Sequence, residues 1–226
     1  MADDHKVLVT GFGWGNEHPR GADHTTNGVR MGIDGWLYVG VGDFGMPDAE
    51  GADGTRLTFH GGGVVRVRPD GSEMEIFSAM TRNHFAPAIS PALDMFVRDN
   101  TNDGKGWDTR LHHFTSMADH GYPRLYQNFV DEIILPIGDF GGGAGTGGAY
   151  IHEPGLPEAF ADTLFTCDWT TGHIYHHPLR AGEAPSPPPK RSSPHSPVPS
   201  TSTSMDFPAS TFATGATANT GMPAPM

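Results

Sequence analysis

His24 and Asp43 are the residues of this 226-residue chain whose types and spacing come closest to a proton-transfer device. His24 stands where a strand is expected to begin and Asp43 where the returning strand ends. A strand, the turn Gly32-Ile33-Asp34-Gly35 and a second strand would bring both to one sheet edge. There a carboxylate orients an imidazole as a general base. The chain holds 13 histidines, for which a surface position is the ordinary case; the matched aspartate sets His24 apart. Arg82-Asn83 falls at the same expected edge, just before a Pro87–Ile89 strand, where Asp99-Asn100-Thr101-Asn102-Asp103-Gly104 leaves another. An arginine so placed either grips a carboxylate or anionic quinone oxygen with two donors, or tethers loops through ion pairs. The segment from Asp99 to Gly104 gathers hard oxygen donors in a tight turn, which suits calcium. Thr101 at the third position and Arg110 at the twelfth exclude an EF-hand, and an Asx-rich turn satisfied by its own backbone uses the same residues. The glycine run 140–148 lacks the Lys-Ser/Thr of a phosphate-binding loop and no βαβ pattern surrounds it, so it reads as a flexible loop.

These residues need strands to position them, and the chain repeats a strand-closing phrase. An aliphatic-aromatic pair, a smaller residue and then Asp recur at Leu37-Tyr38-Val39 before Asp43, Met95-Phe96-Val97 before Asp99, and Leu164-Phe165-Thr166 before Asp168. The spacing is too long for one hairpin and suits a four-stranded unit with a loop insertion, which predicts an all-β chain of about three propeller blades. Strands are expected at 6–10, 28–31, 36–41, 63–68, 73–78, 87–89, 95–98, 132–136, 149–152, 163–167 and 174–177, and helix signals are scarce. The clearest hairpin turns through Pro69-Asp70-Gly71. Residues 13–26, 42–62, 81–85, 99–108 and 140–148 are expected as loops.

The formal charge is −12, and residues 181–226 carry none of it, since Lys190 and Arg191 balance Glu183 and Asp206. An acidic surface argues against nucleic acid and anionic membrane as partners, because phosphate contacts need clustered cations, and the ordinary meaning of such a charge is a solvated acidic surface. The single cysteine, Cys167, rules out an intrachain disulfide and a Cys-x-x-Cys-His haem attachment within the chain. No apolar run reaches membrane-spanning length, and Met1-Ala2-Asp3-Asp4-His5 lacks the basic-then-apolar order of a signal peptide, unless the chain begins inside a longer protein.

Ten of the 20 prolines lie in 181–226, which divides the chain into a propeller region, 1–180, and a Pro/Ser/Thr-rich tail expected to be disordered. The genetic code adds to this. Permitted codons for Val198 to Met226, read one frame on, can spell PVDLDVDGFPRLYVRDWRDGQYRYAGPH. That string has apolar alternation, an Asp-Gly turn and a Leu-Tyr-Val-x-Asp-Trp phrase matching Leu164 to Trp169. The expectation is that the tail is an out-of-frame translation of the next blade, and that the chain as it stands is an inactive fragment with unpaired strand edges.

The segment from His24 to Asp43 resembles the His…Gly-x-Asp-Gly-x-Leu-Tyr…Gly-Asp stretch of soluble pyrroloquinoline-quinone (PQQ) glucose/sorbosone dehydrogenases. Arg82-Asn83, followed by Leu93-Asp94-Met95-Phe96-Val97, resembles their Arg-Asn-Pro…Asp-Gly-x-Leu stretch. Trp36-Leu37-Tyr38-Val39, Gly121-Tyr122-Pro123 and Phe165-Thr166-Cys167-Asp168-Trp169 look closer still to the membrane-bound dehydrogenase domains of large planctomycete-type proteins, often joined to a c-type haem module. The resemblance covers nearly all of 6–180. It implies a six-bladed β-propeller and a periplasmic or extracellular oxidoreductase acting on a sugar or other alcohol, with PQQ and Ca²⁺ as cofactors and a haem module as electron acceptor. It also implies His24 as catalytic base, Asp43 as its orienting group, Arg82 beside the quinone, and Asn100, Thr101 and Asn102 in the calcium loop. The chain departs from the soluble enzymes at that loop, where they have Gln-Gly-Pro, and at Arg82-Asn83-His84-Phe85-Ala86, where they have Arg-Asn-Pro-x-Gly. Their later basic cofactor ligands have no counterpart before the tail. These departures support the alternative of a non-catalytic propeller that binds carbohydrate or a partner.

Overall fold

The computed structural model describes residues 4–14, 18–21, 24–102 and 107–179, with the backbone of 203–205. Their strands form four sheets of antiparallel neighbours with one short parallel pairing. The first meander is β2 (Thr26–Met31), β3 (Leu37–Val41), β6 (Gly62–Val67) and β7 (Glu75–Thr81). The second is β8 (Ala88–Ile89), β9 (Met95–Asn100), β10 (Asp108–Phe114) and β12 (Gly138–Gly142). The third is β13 (Gly145–His152), β14 (Asp162–Asp168), β15 (His173–His177) and β16 (Thr203–Met205). The remaining sheet sets β1 (Val9–Thr10) beside the hairpin of β4 (Met46–Gly51) and β5 (Arg56–Phe59).

Alternation decides which face each strand buries. On β3 and β6, Val41, Val65 and Val67 pack with Met46, Ala49 and Phe59 of the β4–β5 hairpin. The opposite face brings Trp36, Tyr38, Val64 and Phe77 against Met95, Val97 and Phe114 of the second meander. The other side of that meander, with Ala88, Phe96 and Leu111, meets Leu164 of the third. β9 is thus covered on both faces, and all six of its residues are buried.

Burial on both faces also encloses charge. Arg98 of β9 donates from Nη2 to Asp168 of β14 at 3.0 Å and to Thr109 Oγ1 at 3.1 Å, while Phe140 and Tyr175 flank its guanidinium. Desolvation pushes its pKa down, and Nε and Nη1 have no hydrogen-bond partner among the described residues. Asp168 is therefore the counter-charge that makes the burial tolerable. Asp168→Ala is expected to cost about 3–5 kcal/mol in urea unfolding, because it strands the guanidinium in a dry interface. A loss below about 1 kcal/mol would mean that water reaches Arg98.

Several sequence expectations need correction. The 42–62 loop contains the β4–β5 hairpin, whose polar outer face masked the inward positions Met46, Ala49 and Phe59. The 132–136 strand is absent: a 3₁₀ turn spans Val130–Glu132, and strand pairing resumes at Gly138. β10, from Asp108 to Phe114, was not expected. The glycine run 140–148 is no flexible loop but the end of β12 and the start of β13. Gly143 and Gly145 are set by their neighbours: a Cβ on Gly143 would lie 2.2 Å from Asp168 Oδ2, and one on Gly145 2.7 Å from the Arg98 carbonyl oxygen. Thr203–Met205 pairs with β15 although its surroundings read as a disordered tail; the rest of 180–226 lies outside the described residues.

Candidate functional site

The sequence-derived candidates converge on one edge because successive strands of each meander start and end there. His24 precedes β2, Asp43 follows β3, Arg82-Asn83 follows β7, and Asp99-Asn100 closes β9. His24 Nδ1 lies 2.5 Å from Asp43 Oδ1. A carboxylate only accepts, so Nδ1 carries the hydrogen and Nε2 is the basic nitrogen of the ring. His24 is 6% exposed, holds a left-handed backbone at φ 53°, and stacks on Phe44 at 5.2 Å between ring centroids. Gly42 is what admits it: a Cβ there would lie 2.4 Å from both the carbonyl carbon and oxygen of His24. His18 also stacks on Phe44 at 3.8 Å, and Arg20 stands over the ring at 4.5 Å.

Arg82 and Asn83 are held by their backbones. Asp99 Oδ2 accepts the Arg82 N–H at 2.9 Å and Oδ1 accepts the Asn83 N–H at 2.8 Å. Burial raises the Asp99 pKa to about 6, while these donors and the nearby guanidinium pull it down. Asn27, at the start of β2, donates to Asn83 Oδ1 at 3.0 Å and fastens the turn to the strand that follows His24. The Arg82 guanidinium donates from Nη1 to Asn100 Oδ1 at 2.8 Å and lies 4.3 Å from the Trp107 ring centroid.

The oxygens expected to hold calcium are otherwise engaged. Asn100 receives Arg82, Arg110 reaches the Thr101 hydroxyl, and Asn102 Oδ1 accepts from Tyr126 at 3.1 Å. Two guanidinium groups on the intended oxygens do not fit a divalent cation, which needs uncompensated anionic or neutral oxygens around it. No group of three or more His, Cys, Asp or Glu among the described residues could hold a metal ion. Asp103 and Gly104 lie outside the described residues.

Two features escaped sequence reasoning. Tyr122, cited only as part of a familial phrase, is held at the end of β7 by its N–H, which donates to the Met80 carbonyl at 2.8 Å, and burial together with the Asp43 charge raises its pKa while Arg82 opposes the rise. Below the edge lies a layer of buried imidazoles, His84, His112 and His120. Thr81 Oγ1 sits 3.0 Å from His84 Nδ1, and Ser78 Oγ lies 3.2 Å from His120 Nε2. Neither His112 nitrogen has a hydrogen-bond partner among the described residues. Desolvation lowers His84 to about 3, His120 to about 4, and His112 well below the usual imidazole value.

The fold resembles two solved structures. One is the PQQ-bound form of an aldose sugar dehydrogenase from Streptomyces coelicolor, at 19% identity and a TM-score of 0.52, covering 69% of this chain and 46% of that one. The other is an oxidoreductase described as a glucose dehydrogenase from Thermus thermophilus, at 18% identity and a TM-score of 0.55, covering 73% and 51%. This chain therefore spans about half the length of each, and the likeness is one of all-β fold. No curated relative matches it. The sequence model of the family described as domain of unknown function (DUF7133) matches residues 1–184, and the chain belongs to that family.

Proposed function

We propose that the edge carrying His24, Asp43, Arg82 and Asn83 is the alcohol-oxidising end of a quinone-dependent sugar dehydrogenase, and that the three meanders are three blades of a six-bladed propeller. The observation that carries this reading is the short contact between His24 Nδ1 and Asp43, on the same edge as a buried arginine beside an indole face. His24 Nε2 removes the proton of a sugar or other alcohol hydroxyl while the carbinol hydride leaves for an acceptor; Asp43 fixes the ring and balances the imidazolium that forms. PQQ, when bound, supplies that hydride acceptor. Arg82, Asn83 and Trp107 are the residues to hold it, since a guanidinium, an amide and a ring face suit a flat polyanion. Calcium has no part in this proposal. A c-type haem module is the proposed onward acceptor, in a periplasmic or extracellular setting. The out-of-frame origin of 181–226 belongs to the same reading.

Occupation of the Asn100-Thr101-Asn102 oxygens by arginine and tyrosine favours a second reading, a propeller that binds carbohydrate without oxidising it. The deciding experiment is titration of the chain with PQQ, followed by tryptophan fluorescence, in wild type and Arg82→Ala. Saturable quenching lost in the variant, with its melting temperature retained, supports the quinone reading. Sugar binding without PQQ binding supports the second. The DNA downstream of codon 180, read in all frames, tests the proposed origin of the tail.

A further inference from the structure

Phe44, the residue after Asp43, is buried and ties the N-terminal segment to the site. Its carbonyl accepts the Trp14 indole N–H at 2.7 Å, and its ring carries the imidazoles of both His18 and His24. His18-Pro19-Arg20-Gly21 is a closed turn: the Gly21 N–H donates to the His18 carbonyl at 2.8 Å, the Arg20 N–H to His18 Nδ1 at 3.2 Å, and Gly21 takes φ 80°. Proline suits the second place of such a turn and glycine the fourth. Arg20 fills the third, exposed to solvent, with its guanidinium carbon 4.5 Å from the Phe44 centroid. The His24 ring lies 5.2 Å from the same centroid. Guanidinium and imidazole are therefore no farther apart than these two contacts laid end to end, a separation that one sugar ring with its substituents bridges.

The chain has 26 Asp and Glu against 14 Lys and Arg, so an arginine on its surface readily finds a carboxylate. Arg56 holds Asp48 and Glu50, Arg66 holds Glu75, and Arg68 holds Glu73. Arg20 pairs with no carboxylate among the described residues. The other arginine of the edge is committed: Arg82 follows β7, along which β11 (Ala118–Asp119) runs in parallel, and it donates to Asn100. That leaves the Arg20 fork, five donors in one plane, as the group that matches an incoming carboxylate. The net charge of −12 does not forbid an anion there. At physiological ionic strength the screening length is about 8 Å, so the immediate neighbours decide, and the nearest carboxylate in sequence, Asp43, is already bonded to His24.

We infer that Arg20 sets the substrate class of this edge: it grips the carboxylate of an acidic sugar, a hexuronate, while a hydroxyl of the same ring meets His24. The inference deepens the proposed function and rests on His24 as base, but its test reads binding and not turnover. D-glucuronate and D-glucose, which differ only in carrying a carboxylate or a hydroxymethyl group at C6, are titrated by NMR into the chain as it stands. Glucuronate is expected to bind about tenfold more tightly, the worth of a charge-assisted contact. Arg20→Gln is expected to erase that preference with the melting temperature retained, and Arg56→Gln, an exposed arginine already paired with its own carboxylates, to leave it unchanged. Raising the salt to 1 M, where the screening length is about 3 Å, is expected to narrow the preference in the wild type, a readout that needs no variant to fold. Equal affinities in the wild type, no saturable glucuronate binding, or a preference that survives Arg20→Gln overturns the inference. A preference lost in Arg20→Gln, in a chain that does not bind PQQ, keeps the acid subsite and sinks the quinone reading, whereas PQQ binding without the preference does the reverse.

Discussion

Lowering the pH from 7 to 5 is expected to remove most of the stability of this fold. His84 at about 3, His120 at about 4 and His177 at about 4 all lie below the ordinary imidazole value because burial disfavours their charged form. The sign follows from which state takes the proton first. Above about 6.5 both states are neutral and the three contribute nothing; as the pH falls below that value the unfolded chain gains protons that the folded one refuses. At pH 5 each residue therefore costs about 2 kcal/mol, or about 6 kcal/mol together. Asp99 works the other way, since its raised pKa of about 6 lets the folded state take a proton first. That returns about 1 kcal/mol at pH 5. The remainder is comparable with the total stability of an ordinary domain. Urea midpoints at pH 7, 6 and 5 are the check, and equal midpoints at 7 and 5 would mean that water already reaches the imidazole layer. His112→Leu is the matching variant: it removes two unpartnered nitrogens and is expected to flatten the acid loss.

His24→Ala is expected to lower sugar-dependent dye reduction by about 10²–10⁴-fold, the usual worth of a positioned general base. The assay belongs to the protein read through in the alternative frame, with PQQ supplied, because an open half of the fold leaves the site without its remaining wall. Asp43→Asn is expected to cost less, since an amide still bonds the ring but does not balance the imidazolium. A loss confined to kcat, with KM retained, assigns His24 to the transition state rather than to binding. Turnover indifferent to His24→Ala eliminates the mechanism.

The sequence by itself determined the strands whose alternation is strict and whose turns are chemically specified, such as β3 and the β6–β7 hairpin. It also determined that His24 and Asp43 would share an edge, because strand rise and a four-residue turn leave no other place for them. What it could not reveal were the elements defined by their neighbours. Gly143, Gly145 and Gly148 carry no pattern, and only the carboxylate of Asp168 and the carbonyl oxygens of Arg98 and Phe165 explain why side chains are missing there. The β4–β5 hairpin looked like a loop because a single face of it is apolar, and that face has meaning only against Val41 and Val65. The calcium reading failed the fit for a similar reason: Asn100, Thr101 and Asn102 are good oxygen donors until Arg82 and Arg110, remote in sequence, arrive beside them. Tyr122 is the sharpest case. Its place at the end of β7, with its N–H on the Met80 carbonyl, depends on the segment between β10 and β12 running along a strand of the first sheet, and contacts made between sheets are set by packing, which no local spacing records.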